Sequence, residues 1–158
     1  MKLKSRTMAD EDEKLVENDD VHFHDFLNNL SRIIEFDAGS LFLYDTESEA
    51  LKEVANKGEG IDFISSVHFP LGNGLSAWVA QKGKLIYLPD IHRGSRHGEN
   101  PVRSYVSIPL EVNSKVLGVL NLGHGIPHAF SDEDIKRIEC VGKEAIRRIV
   151  NRKYLKLN

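Results

Sequence analysis

Thiols are nearly absent: the 158-residue chain holds one cysteine, Cys140. That excludes an internal disulfide, a cysteine-built metal cluster and any redox cycle that needs two thiols within one chain. No apolar run reaches the roughly 18 residues a membrane span requires, and the opening Met1 to Asp10 lacks the apolar stretch of a signal peptide. A cytoplasmic protein that engages no membrane is expected. Positive charge is not in excess either, since 21 Lys and Arg against 24 Asp and Glu leave a formal net charge of -3, which argues against general nucleic-acid binding. Neither a Ser-His-Asp arrangement nor paired carboxylates stand out, so no catalytic residue is assigned. There is no internal repeat.

What is present suits one domain with a substantial core. Residues 1–20 are charged and poor in large apolar groups, with the acidic run Asp10 to Glu13 at their centre. They cannot bury enough surface to offset the entropy of ordering and are expected to form a mobile tail. From there Phe23, Phe26, Leu27, Leu30, Ile33 and Ile34 recur at three- and four-residue intervals, the stripe of a helix that Asp20 or a neighbour can cap. Two strands, Ser40 to Tyr44 and Leu51 to Ala55, are joined by the polar loop Asp45 to Glu49 as a hairpin. Gly58 and Gly60 then break the chain before a short helical turn at Ile61 to Ser65. Val67 to Leu71 reads as a marginal strand, with Pro70 marking an edge.

Gly72-Asn73-Gly74 leads into a two-turn helix, Leu75 to Lys82, which Gly83 closes in the left-handed position. A strand follows over Leu85 to Leu88. The polar segment from Asp90 to Pro101 reads as a surface loop or lid, of a length that often carries function. Strands Arg103 to Val112 and Val116 to Leu122 flank a tight hairpin at Asn113-Ser114. Ser131 is a good N-cap for the last helix, Asp134 can close an acidic variant of the capping box, and Asp132, Glu133 and Asp134 favour the positive helix end. Its apolar stripe is Ile135, Ile138, Gly142, Ala145, Ile146 and Ile149. Continued to Leu155 it is about 37 Å long, more than a small body needs to cover its sheet. The order of elements points to an α+β fold with a mainly antiparallel sheet.

Six stretches in this order, Ala38 to Asp45, Pro70 to Ala80, Leu88-Pro89-Asp90, Ser107-Ile108-Pro109-Leu110, Val116 to Leu122 and Phe130 to Asp134, resemble the GAF family of small sensor domains. The resemblance covers residues 21–150 and leaves 151–158 as a basic helical extension. It implies a GAF-like, PAS-related six-stranded antiparallel sheet, with the terminal helices on one face and a ligand pocket beneath short helices and loops on the other. Family members that bind cyclic nucleotides carry Asn-Lys, then Phe, three residues and Asp-Glu. Here Asn121 is followed by Leu122, and only Ser131 separates Phe130 from Asp132 and Glu133, so helix capping accounts for the acids. Bilin attachment would need a suitably placed cysteine, and Cys140 lies in the last helix away from its apolar stripe. Stand-alone relatives that reduce free methionine-R-sulfoxide depend on cysteines in the pocket loops, where this chain has none.

Gly72-Asn73-Gly74-Leu75-Ser76-Ala77 also matches a loose dinucleotide fingerprint, but a buried parallel strand before it and a full crossover helix are missing. The free N–H groups at this helix start can still meet a carboxylate or phosphate. His92 with His97 and His124 with His128 have metal-site spacings, yet Gly125 and Pro127 break the second pair, and no metal ligand is assigned. Trp78 reads first as core and second as pocket wall. Alternation puts Ser40, Phe42 and Tyr44 on one face of the first strand and Leu41 and Leu43 on the other. The mixed set can both pack and hydrogen-bond, so it is assigned to the pocket, with Tyr105 and Ser107 preferred over Val106 and Ile108 by the same logic. The candidate ligand site is thus Ser40, Phe42, Tyr44, Gly74, Leu75, Trp78, Asp90, His92, Arg103, Tyr105, Ser107 and Asn121.

The expected function is a non-catalytic regulatory domain that binds a small molecule of unidentified structure and passes the change through its terminal helices. No particular cofactor is implied. The alternative is an interaction module that dimerises through those helices, where Gly142 and Ala145 allow close approach. A methionine-R-sulfoxide reductase is a third reading, disfavoured by the cysteine count.

Overall fold

Strictly alternating side chains on three central strands decide how this chain packs. Leu41 on one strand, Val106, Ile108 and Leu110 on a second and Leu120 and Leu122 on a third are all buried together. The intervening Ser40, Tyr105, Ser107 and Asn121 are buried as well, which by the period of two places them on the opposite face. The computed structural model describes residues 22–58, 74–92 and 101–157, with side chains as far as 151. Helix α1 covers residues 22–31. It is followed by β1 (Ala38–Asp45), β2 (Ala50–Lys57), α2 (Leu75–Lys82), β3 (Ile86–Leu88), β4 (Ser104–Val112), β5 (Lys115–His124) and α3 (Asp132–Leu157). The five strands form one sheet in the order β2-β1-β5-β4-β3, every pair antiparallel.

This is the expected α+β class. The strand expected at Val67 to Leu71, the helical turn at Ile61 to Ser65 and the N-terminal tail lie outside the described residues, so the sheet has five described strands and not the six expected. Within those residues no helix is long and apolar enough to cross a membrane.

Both terminal helices cover the apolar face. Phe23, Leu27, Leu30 and Ile34 come from α1 and the turn after it, Ile135, Ile138 and Ile146 from α3, and all join the cluster around Leu41, Ile108 and Leu120. Ile33 is a correction to the expected stripe, being 48% exposed. The helix has ended by residue 31, and Ile33 N–H donates to Leu30 O at 3.0 Å in a tightened final turn that swings its side chain outward. Ser131 and Asp134 cap α3 reciprocally: Asp134 N–H donates to Ser131 Oγ and Ser131 N–H to Asp134 Oδ2, both at 3.0 Å. Gly83 ends α2 at φ 64°, its N–H donating to Val79 O at 2.9 Å. Asn113 and Ser114 both take positive φ, 52° and 65°, the pairing that matches a two-residue hairpin to the strand twist.

Two glycines report close approaches. At Gly58, where φ is 102°, a Cβ would come within 1.9 Å of Asp37 O, so only glycine lets the end of β2 tuck against the start of β1. Gly142 faces the sheet, since a Cβ there would meet Leu110 Cδ2 at 2.7 Å. The close approach it permits is to the sheet of its own domain. The obstructing atom is the end of a flexible side chain, and alanine favours helix by about 1 kcal/mol over glycine. Gly142→Ala is accordingly expected to change stability by less than about 1 kcal/mol, as read from a denaturant midpoint.

Candidate functional site

The face of the sheet away from α1 and α3 carries a row of polar side chains that run straight across three strands. In register, Ser40 of β1 lies opposite Asn121 of β5, and Asn121 lies opposite Ser107 of β4. Residues directly opposite in an antiparallel pair share a face. Ser107 Oγ donates to Asn121 Oδ1 at 2.6 Å, and Asn121 Nδ2 donates to Ser76 Oγ in the first turn of α2 at 2.7 Å. One amide thus fastens the short helix to the centre of the sheet. Ser40, Ser107 and Asn121 are 1%, 0% and 0% exposed, and Ser40 Oγ has no hydrogen-bond partner. Leaving a buried hydroxyl unpaired costs about 1–3 kcal/mol, so the row ends in an unmet demand.

Tyr105 stands beside this row, packed with Val102 and against Leu75 and Ile91. Burial pushes its phenol up to about 12, although the Ser107 and Ser76 hydroxyls favour the ionised form. The folded state therefore holds this proton more tightly than the unfolded chain, whose tyrosine titrates near 10. The stability gained is complete below about pH 10 and declines as pH rises through 12. Wild-type stability is expected to fall more steeply than that of Tyr105→Phe across this window, in urea titrations at stepped pH.

At the base of the polar loop a second group forms. Arg103 Nη2 donates to Asp90 Oδ1 at 2.8 Å and Arg103 Nε to Ile91 O at 2.9 Å, while His92 Nε2 lies 3.2 Å from Asp90 Oδ2. The Arg103 guanidinium holds the Asp90 carboxyl below its usual range, with burial opposing. Ile91 N–H donates to Arg103 O at 2.7 Å, so the pair closes the loop by main chain as well. Arg103 is thereby committed to a carboxylate of its own chain, and His92 is exposed.

Of the expected site residues, the structure gathers Ser40, Tyr105, Ser107 and Asn121 on one buried face, with Leu75 beside Tyr105 and the half-buried Phe42 on the same strand face as Ser40. Tyr44, near the end of β1, is exposed. Gly74 is the N-cap of α2 in extended conformation, and a Cβ there would meet nothing within 4 Å, so no steric demand requires glycine. Trp78 contradicts its expected core role at 40% exposure, because α2 turns Val79 inward instead. Asp90, His92 and Arg103 form the separate ion-pair group. Ser76 went unnoticed in the sequence; its only signal is a small hydroxyl two positions into a short helix.

Other sequence features fall elsewhere. Phe130 packs in the helix-side core, edge-on to Tyr87, and Asp132 and Glu133 are exposed, so neither acid joins Asn121. His124 is buried at the end of β5, its Nδ1 3.1 Å from Asp37 Oδ2, whereas His128 is exposed. His97 lies outside the described residues. Cys140 is exposed on α3.

A family model described as GAF domain matches residues 23–145. The fold is also similar to solved structures. One is the type II free methionine-R-sulfoxide reductase from Thermoplasma acidophilum, at 18% identity over 83% of this chain and 92% of that chain, with a TM-score of 0.67. Another is the GAF domain of the Acinetobacter phosphoenolpyruvate-protein phosphotransferase, at 20% identity over 91% and 95%, with a TM-score of 0.61. A third is the free methionine-R-sulfoxide reductase from Neisseria meningitidis in complex with its substrate, at 20% identity over 87% and 86%, with a TM-score of 0.59. The sequence matches none of the curated proteins.

Proposed function

The chain belongs to the GAF domain family, and from that premise we propose that it is a non-catalytic regulatory domain that binds a small molecule on the sheet face beneath α2. One observation carries this reading: a buried polar row, Ser40, Asn121 and Ser107, that bonds to Ser76 of α2 and leaves Ser40 Oγ unpartnered at its end. A face serving packing alone gains nothing from these groups, since an apolar side chain avoids the desolvation cost outright. A ligand that meets them recovers the cost and draws α2 closer to the sheet. The change reaches the far side through β4 and β5, whose alternate residues carry α1 and α3.

The reductase reading has structural neighbours behind it but lacks a nucleophile in place. Sulfoxide reduction by a thiol requires a sulfur beside the bound substrate. The chain's one cysteine is exposed on α3, the helix that packs on the opposite face from Ser40 and Asn121. We assign no catalytic step. Pairing of two copies through the terminal helices stands as a second reading. It is favoured by a surface groove between α1 and α3 lined by Phe26, Ala145 and Ile149. A cytoplasmic setting, without membrane or nucleic-acid contact, accords with the cysteine count and the charge balance.

Native mass spectrometry of the purified protein tests the main reading. A co-purifying small molecule lost on Asn121→Ala substitution is the expected result. Protein that carries nothing, and that no member of a broad metabolite panel stabilises in thermal-shift assays, would sink it. Light scattering at high concentration decides the second reading, which fails if the protein stays monomeric.

A further inference from the structure

The chemistry of the polar row narrows what it can hold, an inference that rests on the ligand-binding reading above. We infer that the ligand presents an uncharged hydrogen-bonding edge, of the amide, lactam or sulfoxide kind, to Ser40 and Asn121, and that Ser40 selects it. Every described group on this floor is neutral: two serine hydroxyls, the Asn121 amide and the Ser76 hydroxyl of α2. Tyr105 beside them keeps its proton at any physiological pH, because burial pushes its phenol up to about 12.

Among the described residues Arg103, at the base of the polar loop, spends its guanidinium on Asp90 Oδ1 at 2.8 Å and Ile91 O at 2.9 Å. An ionised carboxylate or phosphate set against this floor would lose its hydration without gaining a counter-ion from the described residues, and the hydrogen bonds these groups offer do not by themselves repay that loss. The start of α2 has no side-chain cap and no acidic residue in its first turn, so it favours an acceptor atom. It supplies only about half a unit of positive charge, too little to replace an ion partner. A neutral edge with an acceptor meets both conditions. Ser40 Oγ, 1% exposed and unpartnered, can donate to that acceptor or accept from an adjacent N–H. Asn121 stands directly opposite it in register and has a second amide hydrogen to give.

The test uses matched pairs of similar shape and different charge on the full chain: nicotinamide with nicotinate, benzamide with benzoate, and orotamide with orotate. Binding is followed through the side-chain amide signals of Asn121 in NMR spectra of isotopically labelled protein. At least one neutral member is expected to shift those signals and to bind at least about tenfold more tightly than its anion. Ser40→Ala should then weaken the neutral member by about tenfold, the worth of one hydrogen bond, and Ser40→Thr should retain it. Ser40→Ala removes a hydroxyl that has no partner, so the unliganded variant should fold as well as wild type.

Tighter binding of the anions with the same dependence on Ser40 overturns the inference while ligand binding itself stands. So does a panel in which no neutral member shifts the Asn121 signals. If a co-purified molecule is still seen by native mass spectrometry in that second case, only the assignment of chemical class has failed. If none is seen, the ligand-binding reading falls with it.

Discussion

Asn121→Ala is expected to lower the thermal midpoint by on the order of 10 °C, the equivalent of about 2–4 kcal/mol in a domain of this size. The side chain is fully buried and holds two partners, accepting from Ser107 at 2.6 Å and donating to Ser76 at 2.7 Å. Its removal takes the amide partner from both hydroxyls and opens a small cavity between the sheet and α2. The effect should be local as well as global. Amide hydrogen exchange in α2 should accelerate more than in α3, since α2 loses its side-chain tie to the sheet while the opposite face is untouched. A double-mutant cycle with Ser76→Ala separates the hydrogen bond from the cavity. Coupling of about 1 kcal/mol marks the bond, and strictly additive effects would mean that packing alone is at stake.

The neighbouring position should behave differently. Leu120→Ala, one residue earlier on β5, is expected to cost about 3–4 kcal/mol through lost burial and a residual cavity. Leu120 is 0% exposed and belongs to the cluster that includes Leu27, Leu41, Ile108 and Ile138. Urea unfolding should show a lower midpoint with an unchanged slope. The side-chain amide signals of Asn121 should nevertheless stay at their wild-type positions at 25 °C, because Leu120 points to the other face. If Leu120→Ala also collapses the Asn121 signals, the two faces are not independent, and ligand affinity would have to be measured against global stability in every variant.

These contrasting neighbours show where the sequence was informative. Period-two alternation on β1, β4 and β5 separates Leu41, Ile108 and Leu120 from Ser40, Ser107 and Asn121 without reference to any other element, and the capping residues Ser131 and Gly83 bound their helices by local chemistry alone. Ser76 was not legible because its role depends on the angle at which a two-turn helix lands on the sheet, which is decided by packing. Trp78 misled for the same reason: on so short a helix one step of rotation exchanges it with Val79, and composition favours the larger residue as the buried one. Arg103 and Asp90 lie thirteen positions apart, and only closure of the intervening loop converts two separate candidates for ligand contact into partners of each other.

The helix-side groove has a consequence for how the domain can be built into larger assemblies. His22 and Phe26 of α1 share that groove with Ala145 and Ile149 of α3, while Asn29 of α1 meets Cys140 and Val141 in the adjoining stretch, so the two helices run antiparallel. The start of α1 therefore lies beside Ile149, about 12 Å of helix before α3 ends at Leu157. A body entered and left on the same side, through helix ends about two turns apart, can be spliced into a loop of a host protein without prying the host far apart. Any twist of α3 against α1 would then reach that host as a change in the spacing of two adjacent strands of chain. Fluorophores fused at the two ends would read the same displacement as a change in energy transfer.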